Sequence, residues 1–394
     1  MGSTAARLVL RKNQDRRVRS GHPWVFSNEV AQIEGEPADG APVEVMDFRG
    51  AYLGRAYFNR KSLICARMLT RGRDEIDEAF FTKRIERALR FREAVLPGAE
   101  TLRLVYGEAD QLPGLVVDRY GDVLAVQILT LGIEQRSELV RSALERVLHP
   151  RGAVRMADSP LRALEGLPLS RERWWGEVPD RIEVGLEGFR VEADLLHGQK
   201  TGLFLDQRLN RRVAEARARD RRVLDLFCYQ GEWALHAARG GAREVVAVDS
   251  SEPALAAARR NLERNGLAER VTLRRGDAFD VARELQRGGE RFGLVILDPP
   301  ALIKSRKHMA EGARAYRELN RAAMGMLDEE GVLVSCSCSH HLEDALFHQV
   351  LLEAARASHR PFRVLEWRAE SPDHPQLLAV PETHYLKCAV LQAV

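Results

Sequence analysis

Two short runs in the C-terminal half hold residue types able to do covalent chemistry. One reads Leu294-Val295-Ile296-Leu297-Asp298-Pro299-Pro300-Ala301 and the other Ser335-Cys336-Ser337-Cys338-Ser339-His340-His341. An apolar strand ending in Asp-Pro-Pro presents a carboxylate at a sheet edge and fixes the following turn, because each proline locks its φ. Side chains alternate across a strand, so Cys336 and Cys338 are expected on one face, with Cys338 further toward the ligand edge. A partly exposed thiol across a pocket from a carboxylate is what activation of a pyrimidine requires. Carbon-5 of cytosine is a poor nucleophile until a thiolate adds to C6; C5 then becomes enamine-like and accepts a methyl group, and loss of its proton expels the thiolate. Cys338 and Asp298 are the catalytic candidates. Structural zinc sites favour C-x-x-C pairs on turns, so the Cys/His run is not read as a metal site. The remaining cysteines, Cys65, Cys228, Cys336 and Cys388, are expected as small buried hydrophobes.

A second set of residues suits a methyl donor. The strand expected at 223–227 carries Asp225 and runs into Phe227-Cys228-Tyr229-Gln230-Gly231. It lacks the Gly-x-Gly-x-x-Gly of a phosphate-binding dinucleotide site. One acid and one glycine fit a ligand with no phosphate and a positive charge, whose ammonium and sulfonium groups prefer a carboxylate nearby. The next strand ends at Asp249, where a carboxylate can accept both ribose hydroxyls, with Ser250 or Ser251 capping the helix behind it. The third leads to Gly276-Asp277-Ala278-Phe279, an acid and an aromatic suited to adenine. Each acid alone reads as a cap or turn residue, but the ordered set fits S-adenosylmethionine. Ala301 stands where methyltransferases acting on exocyclic amines place a stacking aromatic, which argues against that chemistry.

These residues need a scaffold that brings strand ends together. From about residue 197 strands expected at 223–227, 244–248, 271–274, 294–297 and 332–335 alternate with helices at 232–239, 253–265 and 316–327, and strands at 363–367 and 385–391 follow. Such alternation specifies a parallel sheet covered on both faces, with ligands outside the carboxyl ends of its strands. Upstream, helices at 79–95 and 134–148 and strands between 102 and 191 form an α+β unit with no catalytic constellation, suited to linking its neighbours. Residues 40–59 alternate apolar and polar and break at Arg49-Gly50, as a hairpin in a small barrel does.

The chain has 394 residues, enough for two or three domains, with 45% hydrophobic and 30% charged residues. No window approaches a membrane span, the first twenty residues do not read as a secretory signal, and five cysteines do not make a disulfide framework. A reduced, cytoplasmic setting is the expectation. The net charge of +3 is uninformative, but residues 1–75 hold 13 basic against 9 acidic residues. Arg11, Lys12, Arg16, Arg17 and Arg19 concentrate that excess, and Lys304, Arg306 and Lys307 form a second basic loop. Both segments read either as solvated faces or as phosphate contacts for RNA.

Over essentially its whole length the chain resembles the RlmI-like family of bacterial 23S ribosomal RNA cytosine-5 methyltransferases. The resemblance rests on Ser20-Gly21-His22-Pro23-Trp24-Val25-Phe26, Gly107-Glu108-Ala109-Asp110-Gln111-Leu112-Pro113-Gly114, the segment 197–208 (His-Gly-Gln-Lys-Thr-Gly-Leu-Phe-Leu-Asp-Gln-Arg), Asp373-His374-Pro375 and Tyr385-Leu386-Lys387. It implies an α/β fold: a Rossmann-like methyltransferase domain (193–394) with a mostly parallel seven-stranded sheet, an N-terminal PUA-like barrel (1–75) and a central α+β linking domain (76–192). It implies cofactor contacts at Phe204, Asp206, Gln207, Asp225, Phe227, Tyr229, Gly231, Asp249, Asp277, Ala278 and Asp298, to which the residue reading adds Ser250, Phe279 and Pro299. Cys338 is the implied nucleophile, 23S rRNA or a partially assembled large subunit the implied partner, and a homodimer the implied assembly. The family's usual Thr-Gly-Gly-Phe is Gln230-Gly231-Glu232-Trp233 here, and His340-His341 follows the thiol where smaller or apolar residues are common. Ala301 gives the pattern with one cysteine. Methylation of guanine N7, which needs no thiol, and a non-catalytic RNA-binding assembly factor are the competing expectations.

Overall fold

The computed structural model describes residues 6–198 and 201–394; Gln199 and Lys200, part of one quoted motif, lie outside the described residues. The chain divides into two compact units, Met1–Leu186 with Ala193–Leu205 and Pro372–Thr383, and Glu187–Glu192 with Asp206–Ser371 and His384–Val394.

Among the described residues the first unit holds two larger sheets, besides the strand Ile182–Leu186 of the hairpin with Phe189–Ala193. One has six strands in the order Trp24–Val25, Ala66–Thr70, Tyr52–Phe58, Pro42–Met46, Arg7–Leu10, Val30–Glu34, closed over Leu8, Leu10, Val25, Val43, Val45 and Phe58. The hairpin expected at Arg49-Gly50 is present, because Asp47 accepts both the Arg49 and Ala51 amides at 2.8 Å and Gly50 takes the positive φ of 82° that the turn requires. The other sheet has five strands between Thr101 and Gly176, with the helix Glu78–Val95 and the helix Ser137–Leu148 packed on its apolar face. Asp77 caps the former through the Phe80 amide at 2.9 Å. The Asp373-His374 signature anchors here: Asp373, fully buried, accepts the Arg103 amide, and its carbonyl accepts Arg92, both at 2.9 Å.

The second unit is one seven-stranded sheet. Its strands are β1 (Arg222–Leu226), β2 (Glu244–Asp249), β3 (Val271–Arg275), β4 (Phe292–Leu297), β5 (Leu327–Ser337), β6 (Phe362–Arg368) and β7 (Lys387–Ala393), in the order β3-β2-β1-β4-β5-β7-β6. The first five are mutually parallel, while β7 runs antiparallel to both β5 and β6. β4 is buried along its whole length, as a central parallel strand must be. The order reverses beside β1, so the carboxyl ends of β1, β2 and β4 frame a crevice at the switch point.

Six helices cover the sheet: α1 (Arg208–Arg217), α2 (Glu232–Arg239), α3 (Glu252–Arg264), α4 (Ala278–Arg287), α5 (Met309–Gly325) and α6 (Asp344–Ala357). α1, α4 and α6 add to the elements expected from sequence. α5 also starts seven residues before the expected 316 and stops at Gly325, where the chain turns into β5. Among the described residues no helix is long and apolar enough to cross a membrane.

Candidate active site

The turn after β1 is conformationally unusual. Phe227, Tyr229 and Gly231 have φ of 69°, 49° and 83°, a left-handed set that non-glycine residues adopt rarely and that clusters at functional sites. At Gly231 a Cβ would lie 3.1 Å from that of Ala258, so the position needs glycine for space as well as for φ. α2 begins directly behind it.

Four carboxylates meet at this crevice. Asp225, on β1, is fully buried, and neither of its oxygens accepts a hydrogen bond among the described residues. Burial first, then the neighbouring Asp298, Glu232 and Asp249, hold its carboxyl well above the usual carboxylate range. Burial also raises Asp298 and Glu232, while the buried Arg211 of α1 pulls the other way at all three. A fully buried carboxylate without a donor is costly unless a cation or donor meets it. An ammonium and a sulfonium answer that requirement, and an anionic phosphate does not. S-adenosylmethionine therefore fits the residues present.

The other expected residues are distributed as follows. Asp249 accepts the Tyr229 and Ser251 amides at 2.9 and 2.8 Å, which fixes its carboxylate at the end of β2. Ser251, not Ser250, caps α3 through the Ala254 amide; Ser250 is exposed beside it. Asp277 caps α4, accepting from Phe279 at 2.9 Å and Asp280 at 3.2 Å, and so leads into the buried Ala278. Phe227 and Phe279 pack edge to face, 6.1 Å between centroids, beside these two acids. Gln207 donates to Asp298 Oδ1 at 2.9 Å, and Asp206 accepts from the Tyr385 hydroxyl at 2.6 Å. Phe204 belongs to the first unit and is half-buried there.

Trp233, a departure from the family's pattern, has a task the sequence did not disclose: its buried indole N–H donates to Asp298 Oδ2 at 3.0 Å. With Gln207 on the other oxygen, Asp298 is held from two sides before the Pro299-Pro300 turn.

Cys338 is the first residue beyond β5, half-exposed, whereas the other four cysteines are buried as expected. Its Sγ meets the Pro299 carbonyl at 3.9 Å, so the thiol and the Asp-Pro-Pro turn are adjacent. Cys336, two residues earlier, faces Cys388 across the β5–β7 ladder inside the core. The serines on either side of Cys338 are fully buried and share one anchor. The Tyr316 hydroxyl bonds both Ser337 Oγ and Ser339 Oγ at 3.0 Å, and Ser339 Oγ also accepts the Ile303 amide. From β7, Lys387 donates to the Ser339 carbonyl at 2.9 Å. Neither Tyr316 nor Lys387 was singled out for a role by the sequence; Tyr385-Leu386-Lys387 was legible only as a motif.

The basic segments differ in character. Arg17 pairs with Glu29 at 3.4 Å, and Arg19 pairs with Asp15 and Asp47, so their charges are largely answered. Arg11, Lys12 and Arg16 are exposed and pair with no carboxylate among the described residues, and the same holds for Lys304, Arg306 and Lys307 around the short turn Arg306–His308. Among the described residues no cluster of His, Cys, Asp and Glu could hold a metal.

A PUA-like domain model matches residues 8–71, and a model described as S-adenosylmethionine-dependent methyltransferase matches residues 118–387. Proteins named ribosomal RNA large subunit methyltransferase I from Tolumonas auensis and Cronobacter sakazakii are each 36% identical, over 98% and 97% of this chain and 99% and 98% of theirs. The chain belongs to the ribosomal RNA large subunit methyltransferase I family. Two solved structures share the fold at 20% identity, each spanning 98% of this chain and 99% of theirs: a candidate SAM-dependent methyltransferase from Streptococcus mutans (TM-score 0.84), and a candidate methyltransferase complexed with SAH (TM-score 0.85). This large subunit methyltransferase I relative thus uses S-adenosylmethionine, in agreement with the charge requirement at Asp225.

Proposed function

We propose that the protein forms 5-methylcytosine in 23S rRNA, with Cys338 as nucleophile and Asp298 as the carboxylate that meets the pyrimidine edge. The observation that carries this reading is the adjacency of the half-exposed Cys338 to the Asp298-Pro299 turn, a 3.9 Å contact. When bound, S-adenosylmethionine supplies an electrophilic methyl group on a sulfonium. The Cys338 thiolate adds to C6, forming an S–C bond and leaving C5 electron-rich. After C5 has gained the methyl group, removal of the C5 proton restores the double bond and expels the thiolate, so Cys338 serves as both nucleophile and leaving group. Asp298, held by Gln207 and Trp233, orients the base through its exocyclic amine side. The base must leave its helix to reach this crevice, and unpaired or splayed RNA makes that inexpensive.

Asp206, Gln207, Asp225 and Asp249 are assigned to the donor's amino-acid and ribose portions, together with the turn residues Phe227, Tyr229 and Gly231. Ala278 and Phe279, with Asp277 and Ser250 at the rim, are assigned to its base. The PUA-like region with Arg11, Lys12 and Arg16, and the loop with Lys304, Arg306 and Lys307, are assigned to the rRNA backbone. A three-part division at about residues 75 and 192 suits these roles.

The test is a covalent trap. In RNA carrying 5-fluorocytosine the C5 substituent cannot leave as a cation, so elimination stalls after methyl transfer. The wild-type enzyme with S-adenosylmethionine is expected to form an adduct that survives denaturation and maps to Cys338. Turnover on unmodified RNA without such an adduct overturns the thiolate mechanism and favours the guanine N7 reading.

A further inference from the structure

Lys387 is 2% exposed, yet among the described residues its ammonium donates to two neutral acceptors, the carbonyls of Ser339 and Tyr385 at 2.9 and 2.8 Å. Its β7 position is fixed, because Lys387 stands directly across from Ser337 in the β5–β7 register. The Ser337 and Ser339 side chains that flank Cys338 are in turn tied to Tyr316. The thiol-bearing residue is thus clamped between two anchors, one of which is a buried cation.

The acids near this cation are already engaged. Glu370 accepts the Tyr385 and Leu386 amides through one oxygen and faces His384 Nδ1 with the other at 3.0 Å. Asp344, in the first turn of α6, accepts from the Trp367 indole at 2.8 Å and faces His384 Nε2 at 2.9 Å. His384, bridging both carboxylates, is raised above its ordinary value by them despite its burial. Burial lowers Lys387, and Asp344, Glu370 and Cys338 are the groups that favour its charge. Two more ionisable groups stand near the thiol: Tyr316, pushed up to about 12 by burial, stays neutral, and Asp298, next to the Pro299 whose carbonyl the thiol meets, has a carboxyl that burial raises.

We infer that Lys387 is the positioning residue that keeps Cys338 ionised at neutral pH, an inference that rests on the reading of Cys338 as the nucleophile. The ammonium bonds the carbonyl of the residue that follows Cys338, so a thiolate there is an anion added near a cation whose carboxylates also serve His384. The relation is reciprocal: what the thiolate does for the ammonium, the ammonium does for the thiolate. The rest of the arrangement follows chemically. A neutral thiol adds poorly to C6, and the cation returns the expelled sulfur to its reactive form after each turnover.

The experiment is the pH profile of Cys338 alkylation by iodoacetamide, followed by mass mapping of that peptide in the full-length protein. The four other cysteines are buried, so the slow background is separable. In the wild type the apparent thiol pKa is expected below the ~8.5 of a free cysteine; a value at or above that overturns the inference without any variant. Lys387→Gln, which still donates to a carbonyl, is expected to raise the midpoint by about one unit and slow alkylation at pH 7 about tenfold, with the high-pH plateau unchanged. Lys387→Arg is expected to restore the wild-type midpoint, which a purely structural role would not require. An identical midpoint in the wild type and Lys387→Gln overturns the inference. Failure of the nucleophile reading gives a different signature: Cys338→Ala retains full methyl transfer while the wild-type thiol still titrates low.

Discussion

Cys338→Ala is expected to lower methyl transfer to rRNA by more than about 10³-fold, as loss of a covalent nucleophile does, while S-adenosylmethionine binding stays within about twofold of wild type. The two halves of this expectation have separate structural grounds. The side chain stands just past β5, outside the strand ladder, and meets the Pro299 carbonyl at 3.9 Å. The loop itself is held by Tyr316, Lys387 and the buried serines, none of which changes. The acids proposed to meet the cofactor include Asp225 on β1, Asp249 at the end of β2 and Asp298 just after β4. Steady-state kinetics with tritiated methyl donor, paired with calorimetric titration of the cofactor, reads both halves. Full activity in the variant would exclude the thiolate mechanism, and loss of cofactor binding together with activity would show that the thiol supports the fold of the crevice.

The second large effect belongs to Asp225→Asn. The substitution keeps the shape but removes the charge that a cationic ligand answers. Cofactor binding is expected to weaken by about 2–3 kcal/mol, roughly 30- to 150-fold, the worth of a hydrogen bond to a charged group in a buried site. The cofactor-free protein should move in the opposite direction. Asp225 titrates above its unfolded value because of burial and the surrounding acids. Between the unfolded and the raised folded value the native state binds more protons, so wild-type stability falls as pH rises through that window. Asn removes this slope, and the variant is expected to be about 1 kcal/mol more stable at neutral pH, a trade of stability against function. Thermal denaturation of both proteins without cofactor, at acidic and neutral pH, checks the sign. A variant that binds cofactor as tightly as wild type would contradict the assignment of Asp225.

Much of the site was legible because strand ends carry it. The acids at Asp225, Asp249, Asp277 and Asp298 follow apolar runs, and those runs are β1 to β4 almost to the residue. What escaped has physical reasons. α1 buries Arg208, Asn210 and Arg211 beside Val213 and Ala214, so its inward face is polar and breaks the apolar periodicity by which a helix is read. α4 starts directly at its Asp277 cap, inside a stretch that reads as a ligand turn. α6 does place Phe347, Val350, Leu351 and Ala354 at helical spacing, and its signal was present. Tyr316 and Lys387 lie 22 and 49 residues from Cys338, and only the packing of α5 and β7 against β5 brings them to its flanking serines. Long-range hydrogen bonds of this kind leave no local pattern. Asp249 and Asp277 act as backbone acceptors, so the plain structural reading of these two acids holds.

The most direct measurement of the central claim is the identity of the methylated base. The purified enzyme, tritiated S-adenosylmethionine and 23S rRNA, either free or within a partially assembled large subunit, should yield label in 5-methylcytosine at one position after nuclease digestion. Label in 7-methylguanine, or in any base other than cytosine, would contradict it.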